Sequence, residues 1–173
     1  MPDRDGRIAV AFPLFEPPGH ACPTIRVMSP LGKLQHAIRL DLPVSKDAGA
    51  MRLDKERLYA ADVILIQRTS FLPRPLSGMR SRFRKVIYEI DDNLLEVPDT
   101  NPNRSISVQF QDRIIAALQE ADAVTVTTEA LREKLSRYGG RFHVLPNCID
   151  PDIWGVEPRE PDPDRQEVSI GFV

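Results

Sequence analysis

Six short runs rich in β-branched or apolar residues recur along the chain: RIAVAF (7–12), AIRLDL (37–42), DVILIQ (62–67), KVIYEI (85–90), AVTVTT (123–128) and RFHVLP (141–146). Most lack the in/out alternation of a strand that faces water on one side, as expected of strands covered on both faces. Helical patterns lie between them. The clearest is SVQFQDRIIAALQEAD (107–122), with Phe110, Ile114, Ala117, Leu118 and Ala121 on one face. TTEALREKLSRYGG (127–140) offers Thr127 or Thr128 as N-cap, a Leu131–Leu135–Tyr138 stripe and a Gly139-Gly140 stop. Shorter helices are predicted over 53–61, capped by Asp54, and over 75–84, with Leu76, Met79 and Phe83 on one face. In 23–35, Pro30 either kinks the helix or restarts it with Ser29 as cap. Strand and helix alternate throughout, which predicts an α/β fold: a doubly wound, mostly parallel sheet with helices on both faces.

Composition limits what such a sheet can serve. The 173 residues suffice for one domain, and 42% hydrophobic with 28% charged residues is the mixture of a packed globular chain. A net charge of -2 gives no electrostatic reason to expect nucleic acid as a partner. Two distant cysteines, Cys22 and Cys148, indicate neither a disulfide framework nor a zinc cluster. The opening MPDRDGRIAVAF has too short an apolar stretch for a signal peptide or membrane span, so a cytoplasmic location is expected. A Rossmann-type body is expected over 1–154, and GVEPREPDPDRQE (155–167), with three prolines and alternating charges, reads as an interdomain linker. VSIGFV (168–173) reads as the first strand of a further, C-terminal domain.

Ligands of parallel sheets bind beyond the C-terminal ends of the strands, which selects loops 13–24, 67–74, 91–104, 127–129 and 146–154. A dinucleotide-binding chain would carry GxGxxG after its first strand, whereas PLFEPPGHACPTIR (13–26) has a single glycine, Gly19, so no NAD or FAD cofactor is expected. Gly19, His20 and Thr24 lead into a helix whose N–H groups could face an anion or a hydroxyl-rich ligand; alternatively the loop only connects. His20, Cys22, His143 and Cys148 lack ligand spacing, and no metal site is expected.

The adjacent acids of KVIYEIDDNLLEVP (85–98) are the main candidates. Period-two geometry sends Glu89 and Asp91 to one face and Tyr88, Ile90 and Asp92 to the other, so the acids diverge unless the strand has already ended. Either Asp91 and Asp92 contact a substrate, or Asp92 or Asn93 caps the next segment while Asp91 pairs with Arg68 or Arg26. Arg68, after the third apolar run, could hold a carboxylate, the protein's own or a ligand's. In VLPNCIDPDIW (144–154), Asn147 tolerates left-handed backbone geometry and Asp150 precedes Pro151, so a sharp turn is expected, with Trp154 pinning the linker against the body.

Taken in order, RIAVAF, ADVILIQR, VIYEIDD, ADAVTVTTEALREKL, FHVLPNCIDPDIW and SIGFV resemble the N-terminal, Rossmann-like domain of a GT-B-fold glycosyltransferase of the group 1 (family 4) type. The resemblance implies the acceptor-binding half of an enzyme that moves a sugar from a nucleotide-sugar donor to a glycan or lipid-linked acceptor. It implies no metal or other cofactor, a nucleotide sugar held by the C-terminal domain, and peripheral membrane association among the expected partners. Relatives often end the corresponding strand in His-Asp, placing Asp91 at the histidine position as the catalytic candidate, with Asp92 as its neighbour. Gly19, His20, Arg68, Asp92, Thr128 and Asn147 are the implied substrate-binding positions. The chain departs from the pattern in having one glycine after the first strand and Cys148 where relatives often have glycine. The rival expectation is a non-catalytic α/β interaction or regulatory module with structural carboxylates. A receiver domain is its narrower form, but RIAVAFPLF supplies no acid before Glu16.

Overall fold

Each of the six apolar runs forms a strand. The computed structural model describes residues 6–15, 19–47, 50–68, 77–102, 104–148 and 150–155. In chain order the strands are β1 (Ile8–Leu14), β2 (Ala37–Pro43), β3 (Ser45–Asp47), β4 (Ala50–Arg52), β5 (Val63–Gln67), β6 (Lys85–Glu89), β7 (Ala123–Val126) and β8 (Phe142–Val144). Six of them make one sheet in the order β2-β1-β5-β6-β7-β8, every pair parallel. The antiparallel hairpin β3–β4 stands apart. It lies in a segment for which no strand is predicted.

Strand order reverses at β1: the chain steps to β2 on one side and returns to β5 on the other. Right-handed crossovers therefore put the first connection on one face and the later ones on the opposite face. The first connection is one continuous helical rod made of α1 (Ala21–Pro23), a π segment (Thr24–Met28) and α2 (Ser29–Lys33). Its Val27 packs with Val10, Phe12, Leu14, Val63 and Leu65. Pro30 does not follow a Ser29 cap, because Ser29 is already the first helical residue of α2; the π turn, in which Ser29 N–H reaches the Thr24 carbonyl, precedes the residue that has no N–H to give.

The other face carries α3 (Lys55–Tyr59), α4 (Ser77–Arg80), α5 (Arg104–Gln109), α6 (Gln111–Glu120) and α7 (Glu129–Ser136). Here Leu58, Ile114, Leu118, Leu131 and Leu135 close over Ile64, Ile66, Val86, Tyr88, Val124 and Val126. The predicted helix over 107–122 is split at Phe110, whose φ of -113° and ψ of 9° leave the helical region. Its carbonyl accepts from both Arg113 and Ile114 N–H and so starts α6 afresh. Asp54 and Thr128 cap α3 and α7 as expected, and α7 ends before Gly139 and Gly140, both at positive φ. At Gly140 a Cβ would lie 2.5 Å from the Leu118 carbonyl oxygen, so only glycine lets this turn pack on α6. A last short helix, α8 (Pro151–Trp154), starts with Asp150 as cap and Pro151 in its first turn. Beyond Gly155, the expected linker and the 168–173 strand lie outside the described residues, as does Leu76. Among the described residues no helix is long and apolar enough to cross a membrane.

One device repeats at the N-terminal edge of the sheet. Asp62 donates its N–H to the Ala9 carbonyl (2.9 Å) while its carboxylate accepts the Ala9 N–H (2.9 Å). Asp122 does the same to Val86, at 2.8 and 2.9 Å. The Val86 N–H, helped by Arg80 and Lys85, holds the Asp122 carboxyl below its ordinary range. Because the folded-state value is depressed, this contribution is complete above the ordinary aspartate pKa and disappears as pH falls through the folded one. Asp122→Ala is expected to cost about 2 kcal/mol at pH 7 in urea unfolding, and the gap to wild type should narrow towards pH 3. An equal gap at both pH values would contradict the ionic role.

Candidate functional site

The end of β6 sets out two carboxylates in different surroundings. Pairing places Gln67, Glu89, Thr125 and His143 in one row across β5 to β8, on the face covered by the first helical rod. From that rod Arg26 reaches back to the row: its Nε donates to Glu89 Oε1 at 2.7 Å, and its Nη1 donates to the Leu145 carbonyl (2.5 Å) and to Asn147 Oδ1 (3.1 Å). Both side chains are buried, 4% and 2% exposed. Burial pushes the Glu89 carboxyl up, the Arg26 guanidinium opposes that, and the nearby Asp91 charge adds to it.

Two residues on, the strand has ended and the alternation with it. Asp91 and Asp92 therefore do not diverge; both approach one guanidinium. Arg68 Nη1 lies 3.3 and 3.4 Å from the Asp91 oxygens, 3.5 Å from Asp92 Oδ2 and 3.6 Å from Cys22 Sγ. The Asp91 side chain is 11% exposed and that of Asp92 69%. Arg68 is held where it is by its own backbone. Its N–H donates to the Glu89 carbonyl at 2.7 Å, and its φ of 28° lies in the left-handed region that a non-glycine residue adopts only under constraint.

The other candidates fall around these two clusters. Cys22 links the loop bearing Gly19 and His20 to both clusters: its carbonyl accepts the Gln67 amide at 3.2 Å and its thiol faces the Arg68 nitrogen that meets the acids. Gly19 has φ 93° and His20 is exposed, its carbonyl receiving the Thr24 N–H and hydroxyl. Thr128 accepts the Leu131 N–H as the α7 cap, while Thr127, not singled out for the acid cluster from sequence, donates its hydroxyl to the Asp91 carbonyl at 3.2 Å. Asn147 is not in the left-handed region, contrary to expectation; Arg68 is the one described non-glycine residue at positive φ. The Asn147 amide oxygen is directed instead by Arg26. Asn93 Oδ1 receives the Leu95 N–H, forming a turn rather than a helix cap, since the next helix starts only at Arg104.

The acid cluster lies at the C-terminal ends of β5 and β6, next to the loop after β1, where the strand order reverses. This is the position at which open parallel sheets bind ligands. A nearly buried, guanidinium-oriented carboxylate there can accept a proton or hydrogen bond from a hydroxyl, with Asp92 at the solvent side. Among the described residues no three His, Cys, Asp or Glu side chains come together as metal ligands. Comparison with family models and with curated proteins finds no match.

Glu89→Ala leaves the buried Arg26 charge without its carboxylate and is expected to cost about 3–5 kcal/mol. Arg26→Met/Glu89→Leu should cost less than the two single changes added together, by about 1–3 kcal/mol. Burial raises the folded-state Glu89 value, so its contribution is present below the ordinary glutamate pKa and lost as pH rises through the folded one. Urea titrations of the wild type, Glu89→Ala, Arg26→Met, Glu89→Leu and the double variant check both points; strict additivity would contradict the pairing.

Proposed function

We propose that the chain is the acceptor-binding half of a GT-B-type glycosyltransferase, moving a sugar from a nucleotide sugar to a hydroxyl of a glycan or lipid-linked acceptor. The observation that carries this reading is Asp91, 11% exposed and held by Arg68 at the C-terminal edge of the sheet, beside the reversal of strand order. A carboxylate so oriented suits a sugar hydroxyl, which must be aligned and relieved of its proton as it attacks. The order of motifs along the chain supports the same reading. Asp92 supports the orientation, Gly19 and His20 border the cleft, and Thr128 and Asn147 shape its far side. The donor would be held by a second domain, so the chain by itself is expected to be inactive.

A non-catalytic interaction module is the second reading, and the same ion pair favours it, because both Asp91 oxygens already face Arg68. A protein in which this chain is continued by a nucleotide-sugar domain decides between them when given a panel of nucleotide sugars. Hydrolysis or transfer with one donor is expected, with Asp91→Asn lowering kcat about 100-fold at unchanged thermal stability. Turnover that survives Asp91→Asn undiminished would remove the catalytic role, and no turnover with any donor would favour the module.

A further inference from the structure

After β8 the chain turns back along the first helical rod, and a groove of about 420 Å³ runs between them. Its size is that of a small-molecule site. Ile25, Pro30, Leu145 and Pro151 make its walls largely apolar, and Leu145 is 53% exposed, a hydrophobic side chain that the fold leaves uncovered. Such walls suit an apolar body, and the charges of the groove decide what that body carries.

The rod supplies two cations to the lining, Arg26 and Lys33. Arg26 is matched by the Glu89 carboxylate and held by the Leu145 carbonyl and the Asn147 amide oxygen, so its charge is balanced. Seven residues further along the rod, about 10 Å away, Lys33 is shared between two carboxylates, those of Asp150 and Asp152. Asp152 is largely in water, whereas Asp150 lines the groove with its side chain only 10% exposed. Among the described residues its one charged partner is that shared ammonium, at 3.4 Å. The Asp152 N–H donates to Asp150 Oδ1 at 3.1 Å, which fixes the carboxylate without neutralising it. A nearly buried carboxylate that shares its only cation is short of positive charge.

We infer that this groove binds a small amphipathic amine, its ammonium group on Asp150 and its apolar body along Ile25, Pro30, Leu145 and Pro151. With the ligand in place, two ammonium groups face two carboxylates and the end of the groove is neutral. A bound anion would instead add a third negative charge there. The inference does not depend on sugar transfer.

The test titrates the chain at neutral pH with three compounds of one shape: phenethylamine, phenethyl alcohol and hydrocinnamate. It follows backbone amide NMR shifts and the rate at which iodoacetamide modifies the exposed, groove-lining Cys148. Phenethylamine is expected to give saturable shifts at Ile25, Ser29 and Cys148 and to slow alkylation of Cys148. The alcohol should bind about tenfold more weakly, for want of a charged hydrogen bond, and hydrocinnamate more weakly still. Asp150→Asn, which keeps the α8 cap because asparagine caps as well as aspartate, should weaken the amine about tenfold and leave the alcohol unchanged. Lys33→Met removes the competing cation and should tighten the amine about threefold. Absent or unsaturable shifts, equal binding of the three compounds, or amine binding indifferent to both Asp150→Asn and Lys33→Met would overturn the inference.

Discussion

Three stretches far apart in sequence meet at the Arg26 guanidinium. It joins the helical rod after β1, the last residue of β6, and the segment after β8, through one carboxylate, one carbonyl and one amide oxygen. Among the described residues no helix of a later crossover covers this face over β6 to β8, so the row of Gln67, Glu89, Thr125 and His143 has little apolar contact to hold it. A single long cation supplies the link. Its burial makes the link exacting, since either partner alone would be an uncompensated charge in a region nearly closed to water.

The acid cluster inherits its geometry from that arrangement. Glu89 points into the pair while its carbonyl accepts the Arg68 N–H, so one residue serves both clusters. Arg68 then takes up its positive φ, and its side chain meets Asp91 and Asp92 just past the strand end. Thr127, leading into α7, fixes the Asp91 carbonyl from the neighbouring strand. On the solvent side, Glu96 pairs with Lys134 and Arg137 of the α7 region, which ties down the loop after the acids. The exposed Glu96 pairs are individually weak, and the same loop is also held by Leu95, buried in the core, whose carbonyl accepts the Gln111 amide at 3.0 Å.

The strands were legible because burial on both faces demands unbroken apolar runs, and the caps of α3 and α7 because Asp54 and Thr128 act within three residues of the groups they satisfy. The features that escaped are of longer range or stereochemical. Nothing in local spacing couples Arg26 to Glu89 across 63 positions, although a glutamate inside an apolar run is a signal that a buried partner must exist. The break at Phe110 and the π turn before Pro30 are backbone solutions that side-chain periodicity does not encode. Asp91 with Arg68 was among the expected pairings, but the convergence of Asp92 on the same guanidinium depended on where β6 stops, and strand ends are the least certain part of such a reading.

The link that the rest of the structure rests on can be measured at a single proton. In 1H–15N spectra of the folded chain at neutral pH, the Arg26 Nε–H should exchange with water about 100-fold more slowly than those of the half-exposed Arg80 and Arg132. It should also lose that protection in Glu89→Ala. An Arg26 Nε–H that exchanges as fast as theirs in the wild-type protein would contradict a buried pair, and with it the account of how the end of β6 is positioned.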